Sequence, residues 1–265
     1  MKKINTLKMK AGISIAGLVL GGSAGAMYGQ QNLLANGSFE SGGAKEGAFY
    51  QWGWTGPAGN NSDYGVAQSS VAPDVAEQGS FYAYFHGHPT DGSQDCLGQS
   101  LSLTVGSQYT ISYYLGTDGT TLGSGATMWV VIGTSFGIDY SQDVLLTTYT
   151  PNATNALPYQ KFTATITATN ADVILSFHGI DATSSILLDN VSVALVVPKL
   201  DLSISAKKLV FNWTSSTNGF LVQTNTSLRA ANWVTLTNKP VTVGTNNQII
   251  LPAPTNNVFY RLMLP

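Results

Sequence analysis

Three sets of residues along the chain have types and spacings that could do chemistry. Gly133-Thr134-Ser135-Phe136-Gly137 fits the G-x-S-x-G pattern of an activated serine, and Asp172 and His178 follow it in the order of one hydrolase triad. Asp118, Asp139, Asp143, Asp172 and Asp181 are a pool from which a glycosidase would draw two carboxylates, set roughly 5 to 10 Å apart across the scissile bond. His86 and His88, two apart at the end of an extended run, project to the same side and offer two nitrogens to a metal such as zinc.

The elements that would have to position these groups decide against all three. A serine elbow needs a strand-to-helix turn, and 138–146 carry no amphipathic helical period, so a Gly-rich hairpin loop is the better reading. The aspartates stand beside Gly, Thr, Tyr and Asn at turns, where short acids bond to local backbone. For the histidine pair, Cys96 and Asp91 are the only near candidates for further ligands, and they form no motif. Cys96 reads instead as a small buried hydrophobe, and His178 as a residue of a sheet. No catalytic set is therefore expected.

What the chain does carry is repeated period-two alternation, bounded by Gly, Pro, Asn and Asp. It predicts strands at 33–40, 80–86, 99–103, 108–115, 127–132, 161–167, 172–178 and 186–194. After a boundary near Val197-Pro198-Lys199, a second series is predicted at 202–206, 209–213, 220–224, 233–236, 248–251 and 259–262. The expected fold is all-β, with an antiparallel sandwich over 31–196 and a small β domain over 200–265. A unit as small as the second is marginal alone.

Alternation also sorts the aromatics. In 80–86 it sends Phe81, Ala83 and Phe85 to one face and Tyr82, Tyr84 and His86 to the other. In 108–115 it groups Ile111, Tyr113 and Leu115, and leaves Ser112 and Tyr114 opposite. Trp129 lies opposite Met128, Val130 and Ile132, and joins the tyrosines if these strands share a sheet. Tyr82, Tyr84, His86, Tyr114 and Trp129 are thus a candidate carbohydrate face, with ring planes to stack a sugar and polar tips to bond it. Trp52 and Trp54, in the loop-rich stretch that follows the first strand, are candidates for a loop-end platform.

The first residues bear on compartment. Lys2, Lys3, Lys8 and Lys10 precede an uncharged apolar stretch at 11–20 and the small-x-small Ala24-Gly25-Ala26, so 1–26 read as a cleaved signal peptide. That stretch is shorter than the roughly 20 residues needed to span a bilayer, and no membrane span is expected in the mature chain. Four of the twelve Lys and Arg leave with it, so eight remain against fourteen Asp and Glu. An acidic balance argues against nucleic acid as a partner. With one cysteine, no disulfide forms within the chain.

Asn32-Leu33-Leu34-Ala35-Asn36-Gly37-Ser38-Phe39-Glu40, Trp52 and Trp54, Tyr109-Thr110-Ile111-Ser112-Tyr113 and Leu187-Leu188-Asp189-Asn190-Val191-Ser192-Val193 together resemble the signature of galactose-binding-like β-sandwich modules. Within that group they look most like carbohydrate-binding modules of jelly-roll fold. The resemblance implies a structural Ca2+ held by Glu40 and Asp189, whose hard oxygens suit that ion. The C-terminal stretch, with Leu209-Val210-Phe211-Asn212-Trp213 and Phe259-Tyr260-Arg261-Leu262, is similar to a short β module at the end of secreted proteins of environmental bacteria, and implies no activity. The function expected is an exported, non-catalytic carbohydrate-binding protein, secreted, periplasmic or at the cell surface, that recognises an extracellular glycan. The alternatives are an adhesion or matrix protein binding another protein, and a polysaccharide hydrolase.

Overall fold

Strands form where alternation lets one side of the chain face a core and the other face outward, and a computed structural model places sixteen of them among the residues it describes. It describes residues 31–41, 54–55, 64–69, 75–86, 94–118, 125–136, 143–151, 156–180, 184–214 and 219–263. Residues 1–26, expected to be a signal peptide, and Trp52, His88, Asp91, Asp139 and Asp181 lie outside these. The described residues contain no helix, and the strand pairings are antiparallel. The chain is all-β. It divides into two compact units, Gln30–Val196 and Val197–Pro265.

In the first unit the strands are β1 (Tyr64–Gln68), β2 (Phe81–Phe85), β3 (Asp95–Ser102), β4 (Gln108–Thr117), β5 (Thr127–Gly133), β6 (Val144–Tyr149), β7 (Gln160–Thr167), β8 (Asp172–Ile180) and β9 (Ile186–Leu195). They make a five-stranded sheet of order β1-β2-β9-β4-β7 and a four-stranded sheet of order β3-β8-β5-β6. Both sheets feed one core. Phe85, Ile111, Tyr113, Leu115 and Leu188 come from the first, and Leu97, Met128, Val130, Leu175 and Phe177 from the second. Tyr113 and Phe177 meet edge to face across the sandwich at 5.3 Å. Burying each of these side chains stabilises the unit by about 1.5 to 3 kcal/mol.

The segment 33–40 is not the strand its alternation suggests. Asn36 and Phe39 take left-handed backbone angles (φ 51° and 58°), which bend the chain into a turn closed by Phe39 N–H donating to the Asn36 carbonyl at 3.1 Å. Even so, the segment is tied along β9. The Leu33 N–H donates to the Val193 carbonyl, and the Val191 N–H to the Gly37 carbonyl, each at 2.8 Å. The Asn32 side chain donates to the Val191 carbonyl and accepts from the Val193 N–H, both at 2.9 Å. β2 pairs with β9 only along Ile186 to Leu188, and this segment takes over farther on. Glycine is required at position 37, because a Cβ there would lie 2.0 Å from the Val191 carbonyl oxygen.

The second unit holds β10 (Asp201–Ser205), β11 (Lys208–Thr214), β12 (Leu221–Asn225), β13 (Val234–Thr235), β14 (Val241–Val243), β15 (Asn246–Pro252) and β16 (Phe259–Met263), in sheets of order β10-β11-β15-β14 and β13-β12-β16. Leu200, Leu209, Phe211, Trp213, Val222 and Ile249 form its core. Tyr260 packs on Phe211 with ring centres 4.7 Å apart. Arg261 lies over the Trp233 ring at 4.4 Å and bonds Gln223 at 2.9 Å, so these polar residues finish a sheet.

Candidate functional site

Alternation along β2 buries Phe81, Ala83 and Phe85 in the core and turns Tyr82 and Tyr84 to the outer face of the five-stranded sheet. Tyr114 of β4 reaches the same face from the other side of β9. A β-bulge on β9, where Asn190 is left-handed (φ 49°), shifts the register so that Asp189 pairs with Tyr114. Tyr84 pairs with Leu187, and Leu187 with Gly116. Tyr84, Tyr114 and His86, just past the end of β2, are half-buried. Tyr82 is 5% exposed although it stands outside the core cluster, so something covers it from the outer side.

The segment before β7 lies against the end of β4, where its Tyr159 packs over Gly116. The Leu157 N–H donates to Thr117 Oγ1 at 2.8 Å and the Thr117 N–H to the Leu157 carbonyl at 3.1 Å. A Cβ on Gly116 would lie only 3.3 Å from Cδ1 of Tyr159. Burial pushes the Tyr159 phenol well above the ordinary tyrosine range, and Asp189, Tyr82, Glu77 and Asp118 push the same way, so it keeps its proton. Its hydroxyl oxygen is buried and has no hydrogen-bond partner among the described residues. The Lys161 ammonium lies 5.5 Å from the centre of the Tyr114 ring.

Two carboxylates grip the turn at 77–81 that leads into β2. Glu40 Oε1 accepts the N–H groups of Ser80 and Phe81, each at 2.8 Å, and left-handed Gly79 (φ 75°) lets its carboxyl come close. Asp189, fully buried, accepts the Gln78 N–H at 2.9 Å and the Asn190 N–H at 2.6 Å. Glu77 accepts from the Asn190 side-chain amide at 2.9 Å. Burial lifts the Asp189 carboxyl to about 7, against the lowering by these backbone donors and with a smaller upward push from Glu77. Glu40 and Asp189 thus meet on one turn. No group of three or more His, Cys, Asp or Glu side chains that could hold a metal converges among the described residues.

Trp129 departs from the expected face. It belongs to the four-stranded sheet, where it pairs with His178 of β8 and Thr148 of β6, so it does not join Tyr82, Tyr84 and Tyr114. Its neighbours form a covered polar layer. His178 and Cys96 are each 4% exposed, the His178 ring nitrogen Nε2 lies 2.9 Å from Ser176 Oγ and 3.6 Å from Cys96 Sγ, and none of the three belongs to the core cluster. Burial lowers His178 to about 4, against a weaker upward pull from Asp143. Burial, with Asp95 adding, pushes the Cys96 thiol far up, so it is no nucleophile. Phe136 and Asp143, flanking the β5–β6 connection, lie where side chains on Gly98 and Gly133 would stand.

Trp54 also departs from its expected place. At 1% exposure it is core, stacked on Phe39 at 5.5 Å and edge-on to Phe177 at 6.3 Å, with its indole N–H donating to the Asn36 carbonyl at 3.1 Å. It offers no platform. The triad pattern is likewise not assembled: Asp172 and His178 lie on one strand, six residues and so about 20 Å apart. Asp172 instead accepts from Ser102 at 3.3 Å, and Asp118 from Ser184 and the Ser185 N–H at 2.8 and 2.7 Å.

No protein-family model matches the chain. No curated protein matches it either. Similar solved structures include the carbohydrate-binding module TmCBM61 in complex with β-1,4-galactotriose, at 14% identity over 63% of this chain and 99% of that one, with a TM-score of 0.42. A xylan-binding domain from Paenibacillus barcinonensis is 20% identical over 63% of this chain and 96% of that one, with a TM-score of 0.37. A cleaved adhesin domain of Lys-gingipain from Porphyromonas gingivalis is 14% identical over 60% and 96%, with a TM-score of 0.39.

Proposed function

We propose that this chain is an exported protein whose Gln30–Val196 unit binds a glycan, without cleaving it, on the outer face of its five-stranded sheet. The observation that carries the reading is the grouping of Tyr84 and Tyr114, both half-buried, on either side of β9 beside the Asp189 carboxyl. Half-exposed tyrosine rings offer planes for a sugar, and their phenol groups serve its hydroxyls. The test is affinity electrophoresis of residues 27–265 in gels of soluble polysaccharides, with a reducing-sugar assay in parallel. Retention without sugar release is expected. Sugar release would make the protein a hydrolase, and retention on no polysaccharide would favour a protein ligand. Tyr84→Ala is expected to weaken retention by about 1 kcal/mol or more while leaving the unfolding midpoint nearly unchanged.

A calcium ion at Glu40 and Asp189 is part of the same proposal. The donors are hard oxygens, and a cation would compensate the buried Asp189 carboxyl, whose charge is otherwise costly. The two side chains supply only part of the 6 to 8 oxygens such an ion takes, so carbonyls of the turn and solvent would complete the set. Protein purified without chelator is expected to contain calcium and to melt several degrees lower in EDTA. Calcium at a hundred times its Kd adds about 2.7 kcal/mol. An identical melting curve with and without EDTA would remove the ion from the account.

A further inference from the structure

We propose that the Val197–Pro265 unit holds the protein to an anionic lipid surface, with the β10–β11 hairpin as the point of contact. The charge of the chain is unevenly divided. Between Gln30 and Val196 stand thirteen Asp and Glu against two cations, Lys45 and Lys161, whereas Val197–Pro265 carries six Lys and Arg against one acid, Asp201. The acidic balance of the whole chain therefore conceals a small basic unit, an asymmetry of the kind that marks interaction with a polyanion or a membrane. Lys199 holds the Asp201 carboxylate at 2.7 Å, and Lys207, Lys208, Arg229 and Lys239 are exposed.

The exposed aliphatic residues select between those partners. Although this unit is the smaller, it presents nine of the fourteen large hydrophobic residues exposed among the described residues. Cations and aliphatics meet on one hairpin. All five residues of the edge strand β10 are exposed. Leu202 and Ile204 stand opposite Phe211 and Leu209, on the side of the sheet that faces the core, yet are 37% and 44% exposed. At the tip, Ala206 and Lys207 are both left-handed (φ 49° and 61°), which makes a two-residue type I′ turn of a kind that favours Asn-Gly. A lysine held in that conformation costs stability, as residues kept for function in tight turns do. The turn is also pinned, because the Lys207 carbonyl accepts the Ala253 N–H at 2.9 Å. A soluble polyanion, whether an acidic polysaccharide or a nucleic acid, would use the lysines and leave Leu202 and Ile204 in water. A lipid surface uses both: the ammonium groups meet headgroup phosphates while the aliphatic side chains enter the boundary beneath them. The carboxylates of Gln30–Val196 are repelled by the same surface, but salt screens that repulsion beyond about 8 Å, so it does not prevent contact through the hairpin.

The experiment sediments residues 27–265 with vesicles of phosphatidylcholine, alone or mixed with phosphatidylglycerol, at low and high salt. Three variants are treated alike, and all four proteins are melted. The parent is expected to pellet with the mixed vesicles in low salt only, and with phosphatidylcholine alone in neither. Lys207→Gly should weaken that binding about fivefold, the loss of one lysine at an anionic surface, and yet melt at or above the parent, because glycine suits the left-handed turn. Adding Lys208→Gln should bring the loss to about twenty-five-fold. Leu202→Thr/Ile204→Thr should also weaken binding and melt close to the parent. Equal pelleting with both kinds of vesicle, pelleting with neither, or undiminished binding by the lysine variants would each overturn the proposal. Early melting of the threonine variant would return Leu202 and Ile204 to the core and overturn the lipid contact with it. Absence of vesicle binding, together with binding to polygalacturonate or duplex DNA that falls in the lysine variants, would make the unit a polyanion site and likewise overturn the lipid assignment.

Discussion

Trp54→Ala is expected to destabilise the Gln30–Val196 unit by about 3 to 5 kcal/mol, a large share of the 5 to 15 kcal/mol that holds a typical domain together. The indole fills a place between Phe39 and Phe177, at 1% exposure, so its loss leaves a cavity in the core. Its N–H also shares the Asn36 carbonyl with the Phe39 N–H, so removing it loosens the turn that lays the first segment along β9. Urea titration of parent and variant checks this: a fall in midpoint at constant slope is the expected result. Trp54→Phe should recover most of the loss, because it restores the ring contacts and lacks only the hydrogen bond. If Trp54→Ala unfolded at the parent's midpoint but lost glycan binding, the residue would be a platform after all.

The sequence made Trp54 look like a surface residue because it sits among glycines and polar residues with no strand pattern on either side. What ties the neighbouring residue into the fold is an isolated bridge, in which Thr55 and Gly98 exchange backbone hydrogen bonds of 2.9 and 2.8 Å. Alternation was reliable where one side of a strand is core, as in β2, β4, β5, β8 and β9. It failed where a local feature resets the period. β6 was not anticipated, since a register shift against β5 between Val130 and Val131 puts Leu145, Leu146 and Thr147 out of simple alternation. The left-handed Asn36 and Phe39 turned an apparent strand into a turn for a comparable reason.

The candidate site was legible only in part. Parity grouped Tyr82, Tyr84 and Tyr114, because it depends on nothing beyond each strand's own alternation. It could not say which sheet a strand joins, so Trp129 was grouped with them when it belongs across from His178. Parity also carries no information about what lies over a face. Tyr159 precedes its strand, and Glu77 stands in a turn; both reach the face by tertiary placement, which no local pattern announces. The covered layer of Cys96, Ser176 and His178 was hidden for that reason too, although Gly98 and Gly133 inside strands are the sort of residue that marks a close approach by another part of the chain.

Two buried titratable groups with opposite shifts give the last expectation, a stability that changes little between pH 4 and pH 7 in the parent chain without calcium and changes strongly in either single variant. His178 falls from 6.5 to about 4, so between those values the unfolded chain binds a proton that the folded chain refuses. Its contribution is present above pH 6.5 and is lost as pH falls to 4. Asp189 rises from 3.8 to about 7, so the folded chain keeps a proton that the unfolded chain releases. Its contribution is present below pH 4 and is lost as pH rises to 7. Each shift is worth on the order of 3 kcal/mol, and the two slopes oppose each other. Asp189→Asn should therefore expose the loss toward acid, and His178→Gln the loss toward neutral pH. Calcium at Asp189 would hold that carboxylate ionised, so the calcium-loaded parent should resemble Asp189→Asn. Melting temperatures across this range for the three proteins in EDTA, and for the parent in calcium, check all of it. Flat profiles in both variants would show that neither group is buried as the fold places it, whereas a slope in the EDTA-treated parent as steep as in a variant would leave only one of the two shifts standing.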